Sequence, residues 1–492
     1  MIFLRALLLL LIPVCSLKAQ ETERYLVRMS PDLDITHFQE KGLQATYAYP
    51  SSGRHRIFFD DFLNVSISDT TVLVEMLASG ELLYWENPSS RTLQFEPSDV
   101  YTLKQWHLRI IEAPSAWELS QGDSSFVVGI IDSGVDYTHE DLKDNLAYNH
   151  DDPPNGIDDD GDGYTDNYYG WDFGSEDWNP MIDDASDHGS VIAGIAAAST
   201  NNELGTASPA FHCRYLPVKI SDTDGNIRRS NEAILYAAEQ GAKVINCSFG
   251  GPDYRQSEAD VIEYVTNVMD VLVIASAGNG SADGRFYPAA LDYVIGVGAT
   301  DLFDQKTSIS NYGPSVDLMA PGAAIYGPHK DNQYKLSNGT SISTAVVSGS
   351  AILLRSHFPN ETAYQIRRRL LDSAEPIDAM NPDYIGLLGA GRLNLAMAMN
   401  HTPKAPSSSL SIGIRPNPNS GTCQLDLYLE ELGNYQLSVF DVYGKLYYRE
   451  DFGASTHFME KSLTLEHLNQ GCYTVHLSNS RDKSSALFVV FE

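Results

Sequence analysis

Positive charge is scarce in this sequence. Its 492 residues carry 33 Lys and Arg against 65 Asp and Glu, a net charge of −32. Such a surface repels nucleic acid and anionic membranes, which excludes both as partners and fits cation binding or a salty milieu. The shortage is sharpest between Lys143 and Arg214, where no basic residue occurs. Long apolar runs are also missing beyond the first twenty residues, so no membrane span is expected. Cysteine is sparse, at five residues. Loss of a leader takes Cys15 and leaves Cys213, Cys247, Cys423 and Cys472. Pairing within each half is permitted in an oxidising compartment. Buried free thiols are the other reading, favoured for Cys213 and Cys247 by their apolar strand-like runs.

The chain is longer than one hydrophobic core usually supports, and two or three domains are expected. With 43% hydrophobic and 20% charged residues it has the composition of a soluble globular protein. MIFLRALLLLLIPVCSLKAQ combines an early Arg, an apolar run from Ala6 to Val14, and Leu17 and Ala19 suited to cleavage. It reads as a signal peptide over residues 1–19. The run is too short for an anchor, and Val14 is a poor residue before a lipid-modified Cys15.

Residues 20–100 mix strand-like runs (RYLVRM, HRIFFDDF) with an amphipathic segment at TTVLVEMLASG, as in a small α+β domain. Over 101–400 apolar strand-like runs alternate with Ala-rich helical segments: FVVGIID, SVIAGIAAAS, RYLPVKI, EAILYAAEQG, KVINCSFGG, DVLVIASAGN. That pattern predicts an α/β fold, a parallel sheet with helices on both faces. An Asp-, Asn- and Gly-rich insert occupies 150–187. A Pro- and Ser-rich linker at 401–411 leads to 412–492, where period-two alternation predicts a β-sandwich.

Hydrolysing a peptide at neutral pH needs an activated nucleophile, a base, a group that orients the base, and donors for the oxyanion. Asp132 ends the run FVVGIID, and a carboxylate at the carboxyl end of a parallel strand faces the crevice where α/β proteins place their sites. Read alone it is equally a cap or turn residue. His188 opens HGSVIAGIAAAS, where Gly189 permits close backbone approach. Ser341 lies in NGTSISTAVVSGSAILL, at a helix entrance whose free N–H groups can donate to an oxyanion. Asn279 sits in the Gly-flanked turn SAGNG, after a strand.

Together these residues carry a resemblance that none carries singly. DSGVDYTHEDL, HGSVIAG and GTSISTAVVSG resemble the Asp, His and Ser blocks of the subtilisin family, in that family's chain order. SAGN resembles its oxyanion turn and INCSFGG its cleft-lining strand. YPAALDYVIGVGATD, NYGPSVDLMAPG and GRLNLAMA extend the match over roughly Trp106 to Met399. The resemblance implies a secreted serine endopeptidase acting on polypeptides. Ser341 would be the nucleophile, His188 the general base and Asp132 its orienting carboxylate, with Asn279 and the Ser341 N–H holding the oxyanion. It further implies that Ser248, Phe249 and Gly250 pair with extended substrate, and that Ser276, Ala277 and Gly278 wall the first specificity pocket. Three positions depart from the pattern: Ala345 replaces the usual proline of the Ser block, and Ser190 and Val191 replace Thr and His.

NGIDDDGDGYTDN places Asp158, Asp160 and Asp162 at alternate positions before Gly163, as at the start of an EF-hand loop, with Asp166 as a further candidate ligand. The twelfth position is Tyr169 rather than Glu, so the loop is not a complete EF-hand. It resembles the calcium-stapled inserts of some large bacterial subtilases, which implies a structural Ca²⁺. A solvated acidic loop is the alternative. Asp183, Asp184 and Asp187 are ambiguous between a second site and an electrostatic effect on His188.

Residues 20–100 stand where the family has its propeptide, which implies that the N-terminal segment inhibits the enzyme until removed, with processing near or before Tyr101. IRPNPNSG, VFDVYGKL and LNQGCYTVHL resemble the sorting domain that engages type IX secretion machinery, implying export to the cell surface or beyond. A ligand-binding β-sandwich is the alternative. Two other functions stay open for the whole chain: a catalytically silent adhesion protein, and a transpeptidase using the same acyl-enzyme.

Overall fold

A computed structural model describes residues 23–86 in part, 95–402 apart from 183–185 and 223, and most of 410–490. The expected leader, Asp183, Asp184, the run at 55–61 and most of the expected linker lie outside the described residues. The chain divides into two compact units, Met1–Gln94 and Phe95–Glu492.

In the first unit, β1 (Glu23–Met29), α1 (Ile35–Glu40), β2 (Gln44–Tyr47), β3 (Phe62–Ile67) and β4 (Leu82–Glu86) appear in chain order. The strands form an antiparallel sheet in the order β2-β3-β1-β4. Val27 and Val65 of the sheet bury against Phe38, Leu73 and Met76.

The second unit opens with Phe95, whose ring lies 6.3 Å from Trp117 and 5.8 Å from Phe211. Asp99 accepts the Asn201 N–H at 2.7 Å. Residues 95–100 therefore belong to the second unit by their packing. Two short helices come next, α2 (Trp106–Ile110) and α3 (Ala113–Trp117). Seven strands then make one all-parallel sheet: β5 (Val127–Asp132), β6 (Trp171–Asp172), β7 (Arg214–Lys219), β8 (Ala242–Cys247), β9 (Leu272–Ser276), β10 (Val294–Thr300) and β11 (Leu318–Pro321). Their order is β11-β10-β9-β8-β5-β7-β6.

Both faces of the sheet are covered, which is why its strands read as continuous apolar runs. Val128 and Ile130 of β5 point into one core, beneath α4 (His188–Ala197) and α7 (Thr340–His357). Ile131 points into the other, beneath α5 (Ser230–Glu239) and α6 (Gln256–Asn267). A hairpin of β12 (Ile325–His329) and β13 (Gln333–Ser337) precedes α7. After it come α8 (Ala363–Asp372), entered through a capping box between Thr362 and Gln365, and α9 (Leu395–Asn400). Among the described residues no helix is long and apolar enough to cross a membrane.

The C-terminal part is a β-sandwich. One antiparallel sheet holds β14 (Leu410–Arg415), β15 (Thr422–Leu429) and β18 (Phe458–Thr464). The other holds β16 (Gly433–Asp441), β17 (Leu446–Ala454), β19 (Gly471–Ser478) and β20 (Lys483–Val490). Leu425 and Leu427 from one sheet meet Leu437, Val439 and Val475 from the other. Polar contacts tie this sandwich to the α/β body. Arg367 Nε lies 2.9 Å from Glu460 Oε1, with both side chains almost wholly buried. Arg368 pairs with Asp426 at 2.7 Å, and Gln424 Nε2 donates to Asp292 at 2.7 Å.

Removing one member of a buried ion pair strands the other charge in a low-dielectric setting, at a cost of about 3–5 kcal/mol. Glu460→Ala is expected to lower stability by that order. Arg109→Ala, which breaks the exposed 3.1 Å pair with Glu96, should cost no more than about 1 kcal/mol. Thermal denaturation of the two variants beside the parent protein checks the contrast.

Candidate active site

Asp132 is the last residue of β5 and His188 the first of α4. His188 Nδ1 is 2.8 Å from Asp132 Oδ1. Two features let strand end and helix start approach this closely. A Cβ on Gly189 would lie 2.1 Å from the carbonyl oxygen of Gly134, so only glycine fits there. Ser133 then accepts the Gly189 N–H at 3.2 Å, while its own N–H donates to Asp132 Oδ1 at 2.7 Å. Asp132 is nearly buried and the His188 side chain partly exposed. The Asp132 charge raises the imidazole pKa above its ordinary value and outweighs the opposing effect of burial, with Asp187 adding in the same sense.

Ser341 is the second residue of α7, behind Gly339, whose φ of +144° is open to glycine alone. Its hydroxyl donates to Ser248 O at 3.3 Å, and the Ser248 hydroxyl donates back to Ser341 O at 3.2 Å. Asn279 follows β9. Its Oδ1 accepts both the Thr340 N–H (2.9 Å) and the Thr340 hydroxyl (3.1 Å), which leaves the amide NH₂ as its free donor beside the first turn of α7. Thr340 also accepts the Gly278 N–H at 3.2 Å. Ser248–Gly250 and Ser276–Gly278 leave the carboxyl ends of the adjacent strands β8 and β9, and both segments are thus bonded to the turn that bears Ser341. Asp132, His188, Asn279 and Ser341 all lie at this one edge of the sheet, where crevices form in open α/β folds.

The acidic insert is built from carboxylates that accept backbone N–H groups. Asp158 accepts from Gly161 (2.7 Å) and Gly163 (3.0 Å), and Asp160 from Asp162 (3.2 Å). Oxygens of Asp152, Asp158 and Asp160 come within 4.8 Å of one another. Asp162 and Asp166 lie outside this cluster. Asp162 takes hydrogen bonds from Tyr164 N, Asn167 Nδ2 and Gln240 Nε2. Asp166 takes them from Asn155 N and Gly156 N at 2.8 Å each.

Several residues at or near the site were not expected from the sequence. Asp152, wholly buried, joins the carboxylate cluster. Its signal was only one more Asp in an acidic stretch. Thr340 orients Asn279. His329 Nδ1 lies 2.8 Å from Asp187 Oδ2, forming a second His–carboxylate pair next to His188. The departures from the family pattern are structural in their surroundings. Ala345 and Val191 are buried in the apolar core, and Ser190 accepts the Asp136 N–H at 2.8 Å. Cys213, Cys247 and Cys423 are buried free thiols and Cys472 an exposed one.

A family model described as the subtilase family matches residues 123–407, and one described as a secretion system C-terminal sorting domain matches 413–490. The chain is 34% identical over 317 residues to a thermophilic serine proteinase of Bacillus sp. (strain AK1), covering 64% of this chain and 73% of the relative. Thermitase of Thermoactinomyces vulgaris is 34% identical over 310 residues, 62% of this chain and 100% of the relative. Halolysin of Haloferax mediterranei is 30% identical over 375 residues, 75% and 65% respectively. A solved protease of Pseudoalteromonas arctica PAMC 21717 superposes with a TM-score of 0.51 at 22% identity, over 62% of this chain and 98% of that one, a likeness of fold. The chain belongs to the subtilase family of serine endopeptidases, and a secretion-system sorting domain follows its peptidase domain.

Proposed function

We propose that this subtilase hydrolyses polypeptides outside the cell through an acyl-enzyme on Ser341. The observation that carries this reading is the 2.8 Å hydrogen bond from His188 Nδ1 to Asp132. It fixes the tautomer in which Nε2 is unprotonated and able to take a proton. Ser341 would leave the Ser248 carbonyl, pass its proton to His188 Nε2 and attack the scissile carbonyl carbon. The oxyanion would be met by the Ser341 N–H and by the Asn279 amide, already oriented by Thr340. His188 then protonates the leaving amine, and water repeats the sequence to free the acid. Ser248–Gly250 would receive the substrate backbone as an added strand, with Ser276–Gly278 opposite. The N-terminal unit would act as an intramolecular inhibitor until cut away, and the β-sandwich would direct export through type IX machinery.

Calcium fits the acidic insert. Three convergent carboxylates are hard oxygen donors whose mutual repulsion a divalent cation relieves. Asp158 and Asp160 would hold the ion with Asp152, while Asp162 and Asp166 brace the loop through their backbone hydrogen bonds. Bound there, Ca²⁺ supplies structural cohesion and takes no part in the chemistry.

Ser341→Ala is expected to lower kcat by about 10⁶-fold, the scale known for loss of a subtilisin nucleophile. It should also leave the N-terminal segment attached, read by casein hydrolysis and intact mass. The pH dependence follows from His188. Because the folded imidazole pKa is raised, the base is disabled by protonation at a higher pH than usual. The acid limb of kcat/KM should therefore inflect above 6.5, the ordinary value. In Asp132→Asn the inflection should move down while kcat falls by about 10⁴-fold. For the cation, chelation should lower the melting temperature, since an ion at 100 times its Kd contributes about 2.7 kcal/mol. Asp152→Asn should melt at the same temperature with and without chelator.

A further inference from the structure

Two glycines beside Ser341 disclose what lies between the cleft segments. A Cβ built on Gly250 would fall 2.5 Å from Cε1 and 3.0 Å from Cδ1 of Phe286. One built on Gly278 would fall 3.1 Å from Cγ and 3.2 Å from Cδ1 of the same ring. A single benzyl group thus touches both segments and spans the gap that opens where the pairing of β8 with β9 ends, at Cys247 and Ala275. Both segments also bond to the first turn of α7, through Ser248 with Ser341 and Gly278 with Thr340. The gap closed by Phe286 is therefore the one beside the nucleophile.

The ring is held from behind. Phe286 N donates to the hydroxyl of buried Ser315 at 2.7 Å, and that hydroxyl donates to Gly284 O at 2.7 Å. Tyr287 and Gly251 exchange two backbone hydrogen bonds of 2.7 and 2.9 Å, tying the ring's own segment to one wall. Asn311 fixes the other wall, donating to Ala277 O at 2.8 Å and accepting from Gly280 N and Ala282 N. Phe286 is nevertheless part-exposed, and it belongs to neither hydrophobic core of the α/β body. A large apolar ring pinned at its backbone between the two cleft segments, and part-exposed, acts on what enters between them.

We propose that Phe286 is the floor of the pocket that takes the side chain on the acyl side of the scissile bond, and that it restricts this enzyme to small residues there, alanine and serine above leucine and phenylalanine. The inference rests on the endopeptidase reading and adds its substrate class. In a pocket of fixed depth each surplus methylene lowers kcat/KM by about 10- to 200-fold. Here the ring is restrained because its backbone is held by Ser315 and the next residue, Tyr287, is tied to Gly251.

The test uses the full-length protein after maturation, with competent sites counted by a fluorophosphonate label so that rates are expressed per labelled site. Four peptide amides differ only in the residue before the cleaved bond: Ala, Val, Leu or Phe. The parent enzyme should favour Ala over Phe by at least ~10-fold in kcat/KM. Phe286→Ala and Phe286→Gly should invert the order by a similar factor, while Phe286→Tyr keeps the parent order. A parent enzyme that favours Phe would mean the ring is a stacking platform, and would overturn the proposal. So would an unchanged order in both truncated variants. Absence of label together with intact casein in the parent protein would overturn the endopeptidase reading itself, and this inference with it.

Discussion

The join between the end of β5 and the start of α4 governs the rest of the site. Asp132 and His188 are 56 positions apart in sequence, and the whole acidic insert lies between them. For their side chains to meet at 2.8 Å, the returning chain must press its backbone against Gly134, which Gly189 alone permits. The insert must also come back to the sheet from a loop crowded with like charges. Its carboxylates manage this by accepting backbone N–H groups, as Asp158 does from Gly161 and Gly163, so each charge is spent on a turn. A cation held by Asp152, Asp158 and Asp160 would secure the same geometry from outside.

Some of the scarce positive charges are used inside the fold. Lys219 pairs with Asp172 in a nearly buried contact of 3.0 Å. Arg355 reaches Asp270, Arg369 reaches Glu361, and Arg392 reaches Asp304, each with its guanidinium side chain almost covered. Arg367 joins the α/β body to the sandwich. These five are buried, while others such as Arg228 and Arg229 stay at the surface in exposed pairs. Such internal pairs contribute little net stability over apolar packing, but they are costly to break. They fix which surfaces meet, and the sandwich is seated by them.

The sheet was legible because fully buried parallel strands must be apolar along their length, and FVVGIID or DVLVIAS show it directly. The candidate site residues stand at strand ends and helix starts, junctions that Gly, Ser and Asp mark in the sequence. What stayed hidden is what depends on contacts between distant segments. Thr340 is one hydroxyl among several in NGTSIST, and only the fold shows it turning Asn279. His329 reads as an ordinary residue in IYGPHK until it meets Asp187. Asp162 continues the alternate spacing of Asp158 and Asp160, yet the fold leaves it outside the cluster those two form with Asp152. Phe286 in DGRFYP carries no local pattern, because its neighbours are two glycines that follow distant strands.

The departures from the family pattern fall where a change of residue costs the site little. Val191 and Ala345 sit in the apolar core beneath α4 and α7, and neither supplies a polar atom to the cleft. An alanine inside α7 keeps the backbone N–H that proline would lack, so the helix continues without a gap in its hydrogen bonding. Ser190 keeps a hydroxyl, which accepts the Asp136 N–H and so ties the turn after Asp132 to α4. In the proposed reading, two bonds from Thr340 hold Asn279 with its amide free beside Ser341. That amide is solvent-exposed, so water can satisfy it and leaving it free costs nothing. It is an asset to an enzyme whose oxyanion forms only in the transition state.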